Sequence, residues 1–137
     1  MIVVDSNVIA YCWLRSQHTA TAQQVRGADA DWQVPALWRS ELRSILGGYL
    51  RSGGLSGLQV RGVMQHIEDQ LAGCDHVLPS ELVFQVLEGS NLSAYDAEFV
   101  ALAHGLSVPL ITEDKAILKA FPALAMSMAG FLARQPG

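Results

Sequence analysis

Four acidic residues stand where a folded chain has least use for a free charge. Asp5 ends the apolar run "MIVVD", Glu41 interrupts "LWRSELRSIL", and Asp96 and Asp114 bracket the segment "YDAEFVALAHGLSVPLITED", whose residues 99–111 carry no formal charge. A carboxylate turned toward a core must be paired, bound to a metal, or neutralised by a raised pKa. Glu41 falls three residues after Trp38 and four before Ile45, on or beside the apolar stripe of a helix. Its neighbours Arg39 and Arg43 lack the i,i+3 or i,i+4 spacing of a helical ion pair. Asp96 has two readings. With Ser93 it forms the S-x-x-[DE] pattern of a capping box, and it also shares a helical face with Phe99, Val100 and Ala103. Asp5 and Asp114 each end a strand-like run, where an acid also suits the start of a following helix. Carboxylates gathered from separate elements repel one another and raise their own pKa values. A shared Mg²⁺ or Mn²⁺ ion removes that penalty, suits hard oxygen ligands, and makes water a nucleophile for phosphodiester hydrolysis.

The elements that must position these acids follow from hydrophobic spacing. "MIVVD" reads as a buried strand, followed by a helix that Asn7 can cap and a second helix through "TATAQQV" to about Gly27. A short strand "WQVP" stops at Pro35. Trp38, Leu42, Ile45, Leu46 and Tyr49 recur at helical spacing over residues 36–50, and "SGG" provides the stop. Val60, Val63, Met64, Ile67 and Leu71 mark the next helix over 56–71. "HVLP" reads as a short strand, 80–87 as a short helix, and 93–104 as a helix closed by Gly105. "SVPLIT" is a further buried strand ending at the acids, 115–120 a short helix, "LAMSM" an edge strand, and "ARQPG" a loose tail. Strands alternating with helices imply an α/β fold in layers, with a mainly parallel central sheet flanked by helices. Ligand sites in such sheets lie beyond the carboxyl ends of the strands, where Asp5 and Asp114 are expected.

Length and composition fit this picture. The 137 residues are expected to form one domain over 1–137, half of them hydrophobic and only 16% charged, which argues against disorder. Cys12 and Cys74 form no CxxC pair and read as buried thiols of a reducing cytoplasm rather than a disulfide or structural zinc site. No segment has the ~20 apolar residues that cross a bilayer, and none opens the chain as a signal peptide, so no membrane role is expected. The net charge of −4 sits awkwardly with a nucleic-acid partner, unless several acids share a cation that reverses the local sign. His18, His66, His76 and His104 have no ligand spacing.

The motifs around the four acids resemble those of the PIN-domain ribonucleases, and among them the VapC-type toxins of bacterial toxin–antitoxin pairs. "VVDSNV", "LWRSELRSILGGYLRSGGLS", "LSAYDAEFVALA" and "VPLITEDKAIL" correspond in order to the family's four motifs and together extend over nearly the whole chain. The resemblance implies a PIN-like three-layer sandwich and an RNA substrate. It places Asp5, Glu41, Asp96 and Asp114 as the acidic quartet that holds Mg²⁺ or Mn²⁺ and activates water. It sets Thr112 as the residue that hydrogen-bonds the first acid, and Asn7 as a supporting polar residue. It further implies a homodimer and a cognate antitoxin whose C-terminal segment covers the acidic groove. Arg39, Arg43 and Lys115 flank the acids and are candidate phosphate contacts. Glu113 falls at a variable position and Glu98 is at most an accessory acid.

Two other classes share part of this pattern. An aspartate-based phosphotransferase opens on a strand followed by D-x-D-x-[TV], but here Asn7 stands in place of the second acid and Ile9 at the fifth position. A receiver-type signalling domain holds Mg²⁺ in an acidic pocket, yet needs paired acids after its first strand and a lysine after its last. Lys115 and Lys119 instead fall in a predicted helix.

Overall fold

The computed structural model describes residues 1–136. Its elements in chain order are β1 (Ile2–Val4), α1 (Ser6–Trp13), α2 (Thr19–Ala28), β2 (Trp32–Pro35), α3 (Trp38–Ser52), α4 (Gly57–Gln70) and β3 (Asp75–His76). They continue with α5 (Ser80–Glu88), α6 (Ala94–Leu106), β4 (Leu110–Ile111), α7 (Lys115–Ala120), β5 (Ala125–Met126) and α8 (Met128–Ala133). The five strands form one sheet in the order β3-β2-β1-β4-β5, and every neighbouring pair is parallel.

Alternation along the strands splits the core into two layers. Ile2 and Val4 of β1 point to one face with Trp32, Val34 and Ile111, where residues of α1, α2, α3, α4 and α8 cover them. Val3 and Leu110 point to the other face, under Phe99, Val100 and Ala103 of α6 and Ile117 of α7. Both faces of β1 and β4 are therefore buried, and this is why these strands read as unbroken apolar runs. α6 is buried almost all round, with Ala97, Phe99, Val100, Ala101, Leu102 and Ala103 enclosed. The expected three-layer sandwich is the observed fold.

Several local expectations need correction. Asp5, not Asn7, caps α1, because the helix starts at once where β1 ends; the Asp5 side chain accepts from the Ser6 N–H, and Asn7 is exposed inside the helix. Gly105 lies within α6, and the helix is closed two residues later by Ser107 in the left-handed region at φ 56°. The edge of the sheet beside β2 is Asp75–His76 rather than "HVLP", and "LAMSM" yields a two-residue strand followed by α8, which begins inside it. Cys12 is buried, but Cys74 is only partly so, and both thiols are free. Of the tail "ARQPG", Ala133 ends α8 and the Arg134 and Gln135 N–H groups donate back to Phe131 and Leu132, while Gly137 lies outside the described residues. Among the described residues, no helix is long and apolar enough to cross a membrane.

The stop of α3 is well explained. Gly53 adopts φ 77°, which an L side chain resists, and its N–H satisfies the Leu50 carbonyl at the helix end. Ser56 and Gln59 then form a complete capping box at the start of α4.

Candidate active site

In an open parallel sheet the ligand crevice opens at the carboxyl edge where strand order reverses. Here that point lies between β1 and β4. The chain leaving β1 supplies Asp5, and the chain leaving β4 supplies Thr112, Glu113 and Asp114. The Asp5 N–H donates to the Ile111 carbonyl at 3.0 Å, so the parallel ladder carries on to the site itself.

Each of the four acids also lies at the start of a helix. Asp5 caps α1 and Asp114 caps α7, its Oδ1 accepting from the Ile117 N–H at 3.0 Å. Glu41 and Asp96 occupy the first turns of α3 and α6. The partial positive charge of a helix N-terminus favours a carboxylate, which explains how one region of a stable fold can hold so many. All four line a single groove of about 560 Å³, together with Ser6, Asn7, Leu37, Ile45 and Tyr95. Among the described residues, the lining of this groove includes no lysine, arginine or histidine.

Asp5 is the most enclosed of the acids, at 7% exposure. Its Oδ1 accepts from the Ser6 N–H at 2.7 Å and its Oδ2 from the Thr112 hydroxyl at 2.8 Å. The Asp114 N–H donates to Thr112 Oγ1 at 3.0 Å, so this fully buried threonine joins two of the acids. Ser6 plays the matching part on the other side, its hydroxyl donating to Glu41 Oε1 at 2.8 Å. Ser6 was not legible as a site residue from the sequence; a small polar residue directly after the first acid was the only signal.

Asp96 departs from the full capping box. The Ser93 hydroxyl accepts from the Asp96 N–H at 3.1 Å, but the Ser93 N–H does not donate in return to the Asp96 carboxylate. The backbone of Asp96 is used by the cap and its carboxylate faces the groove. The cap thus engages the backbone of Asp96 and leaves its side chain at the groove.

The electrostatics match a cluster of like charges. Burial pushes the Asp5 carboxyl above its ordinary range, bonds from Thr112 and Ser6 draw it back, and the charges of Asp96 and Asp114 push it up again. Glu41 is raised by burial, lowered by the Ser6 hydroxyl, and raised by Asp5, Asp96 and Glu98. Asp96 is raised by burial and by Asp114, with Ser93 opposing. Glu98 is raised by burial and lines a neighbouring hollow with Leu78, Val83 and Phe84 rather than the acid groove. Glu113 is turned away: its Oε1 accepts from the Met128 N–H at 2.8 Å and satisfies the start of α8.

Among the described residues, no three His, Cys, Asp or Glu side chains come close enough as placed to enclose a metal ion. The carboxylates ring the groove, a spread that mutual repulsion favours. The donor set still fits a hard divalent cation: it is all oxygen, raised toward protonation at Asp5, Glu41 and Asp96 by burial and by neighbouring acids, and without a basic partner among the described lining residues.

The basic candidates behave differently. Arg39 and Arg43 each lie two residues from Glu41, roughly 200° around a helix of 3.6 residues per turn, so neither lines the groove. Arg39 pairs with Glu68 at 3.1 Å and with Asp75, and its guanidinium lies over the Trp38 ring, an arrangement that ties α3 to α4 and β3. Arg43 and Lys115 are exposed outside the lining. A second concavity of about 440 Å³, between α5, α6 and the turn after α7, is lined largely by apolar side chains such as Leu82, Val100 and Phe121, and no acid lines it.

The chain aligns with FitAcB from Neisseria gonorrhoeae at a TM-score of 0.72, covering 94% of this chain and 99% of the matched one at 22% identity. The fold is PIN-like. In sequence the chain is similar to Ribonuclease VapC3 of Mycobacterium tuberculosis, in both strain CDC 1551 / Oshkosh and strain ATCC 25618 / H37Rv. It is 27% identical to that protein over 121 residues, which cover 88% of each chain. No family model matches the chain. The likeness to a PIN-domain ribonuclease of VapC type, first carried by four short motifs, thus extends to most of the sequence and to the fold.

Proposed function

We propose that this protein is a metal-dependent endoribonuclease and the toxin of a type II toxin–antitoxin pair. The observation that carries the reading is the ring of Asp5, Glu41, Asp96 and Asp114 around one groove at the switch point of a PIN-like sheet, with no cationic side chain among the described lining residues. The similarity to Ribonuclease VapC3 supports RNA as the substrate.

In this reading the four carboxylates hold Mg²⁺ or Mn²⁺. A cation bound there neutralises the cluster, offsets phosphate charge and activates water for hydrolysis of the phosphodiester. The chain's own contribution is positioning. Thr112 and Ser6 fix both oxygens of Asp5, so it presents them in one orientation, and Ser6 fixes Glu41 against α1. Asp114 is held by its cap to α7 and by Thr112. Asn7 lies on the exposed rim, where its amide can meet substrate.

The toxin assignment brings a cognate antitoxin, whose tail would place a basic side chain among the acids, and a homodimer. α5 has apolar surface for association: none of its residues is buried and Phe84 is 57% exposed.

The rival enzymes fit less well. A phosphotransferase needs its first aspartate free to attack, whereas Asp5 is nearly enclosed and both its oxygens are engaged. A receiver domain has the flavodoxin-like order 2-1-3-4-5, not the observed β3-β2-β1-β4-β5.

The deciding experiment incubates the purified protein with single-stranded and structured RNA in Mg²⁺, in Mn²⁺ and in EDTA. Cleavage is expected with either metal and none in chelator. Cleavage unchanged by EDTA, or a phosphoryl group trapped on Asp5, overturns the reading.

A further inference from the structure

We infer that Tyr95 is a base-stacking residue that selects single-stranded nucleic acid at the acid groove. The inference rests on the nuclease reading and names how its substrate is held.

Tyr95 directly precedes Asp96 in the first turn of α6 and lines the same groove as the four acids. It is 66% exposed, an unusual cost for an aromatic ring, and it stacks on no other aromatic side chain among the described residues. Asp5, by contrast, is 7% exposed in the same groove. Leu37, which caps α3, and Ile45 within it line the same groove as Glu41, at i, i+4 and i+8 spacing. The groove therefore has an acidic centre with apolar and aromatic surface beside it.

That composition decides what can hold a polyanion. With no lysine, arginine or histidine among the described lining residues, the side chains of this groove offer the strand no cationic contact of their own. Stacking on an aromatic face works for any base, whatever the local charge. It also requires the base to be splayed out of a helix, because a paired and stacked base has no free face. An exposed tyrosine adjoining Asp96 thus favours unpaired nucleotides next to the scissile phosphate, and it does so through its ring rather than its hydroxyl.

Two measurements test this on the full chain. In the first, KM and kcat are measured on a single-stranded oligoribonucleotide for the native chain and for Tyr95→Ala, Tyr95→Leu, Tyr95→Phe and Tyr95→Trp. Loss of the ring is expected to raise KM roughly tenfold with kcat within about twofold, and Phe and Trp are expected to restore KM where Leu does not. In the second, an oligoribonucleotide carrying 2-aminopurine is titrated onto Glu41→Gln in Mg²⁺, with and without Tyr95→Ala. Fluorescence quenching on binding is expected with Tyr95 and lost with Ala. The same base in a duplex is expected to show no such difference.

Unchanged KM and quenching in Tyr95→Ala overturn the inference, as does Tyr95→Phe failing as badly as Ala, which would assign the role to the hydroxyl. Equal quenching in duplex and single strand overturns the selectivity. Absence of cleavage by the native chain sinks the nuclease reading instead. Quenching then still decides Tyr95, and absence of binding overturns both.

Discussion

The Thr112 hydroxyl donates to Asp5 Oδ2 at 2.8 Å, joining residues 107 positions apart in the chain. The bond closes the seam between β1 and β4 at the point where both strands end, and both partners are buried. A donor to a buried carboxylate favours its charged form, and so the Thr112 hydroxyl opposes the upward shift that burial imposes on Asp5.

Thr112→Val tests this bond. The isosteric change removes the donor to Asp5 and the acceptor for the Asp114 N–H. A stability loss of about 2 kcal/mol at pH 7 is expected, seen as a fall of several degrees in Tm. The loss should shrink as pH falls through the raised folded-state value of Asp5 and be smallest below 3.8, the ordinary aspartate value, where Asp5 is protonated in both states. Thr112→Ser should keep most of the stability and activity. A Val variant that melts and cleaves like the native chain would remove Thr112 from the site.

Ser6→Ala removes the hydroxyl held against Glu41 while leaving the Ser6 N–H bond to Asp5 in place. Cleavage is expected to fall roughly tenfold or more through kcat, because a misoriented ligand weakens charge stabilisation more than it weakens RNA binding. Ser6→Thr, which keeps a hydroxyl, should recover part of it. Steady-state kinetics on one oligoribonucleotide decides the matter, and a change confined to KM would place Ser6 in substrate binding instead.

Asp96→Asn separates its two parts. The folded-state pKa lies above the ordinary 3.8. Protonated Asp96 is thus favoured in the native state, a contribution present below pH 3.8 and lost as pH rises through the raised value. At pH 7 the charge is a net cost in the metal-free chain, so the Asn variant should melt at the same temperature or higher, and any gain should disappear below pH 3.8. The rise in Tm on adding Mg²⁺ or Mn²⁺ should shrink, and cleavage should collapse. An Asn variant that melts earlier without metal and cleaves normally would return Asp96 to a purely capping role.

Arg39→Gln is expected to cost up to about 1 kcal/mol, because the pairs with Glu68 and Asp75 are partly solvated. KM for RNA should stay within about twofold of the native value, since the side chain is turned from the groove. A KM raised severalfold at unchanged Tm would restore Arg39 as an RNA contact.

The sequence by itself determined the long elements. α3 and α4 were legible in the spacing of Trp38, Leu42 and Leu46 and of Met64, Ile67 and Leu71, because a helix that buries one stripe writes its period over a dozen residues. Asp5, Glu41, Asp96 and Asp114 were also visible, since a charge set into an apolar run is conspicuous without any coordinates. β3, β4 and β5, each of two residues, and α8 have too few residues to carry a period, and their ends followed the packing. Tertiary structure alone decided that β1 lies between β2 and β4, which brings the ends of β1 and β4 together. It also decided that Arg39 turns to Glu68 and Asp75, and that Ser6 reaches Glu41. Each of these is a pairing of groups far apart in the chain, and local spacing fixes which way a side chain leaves its own helix or strand but not which element is waiting there.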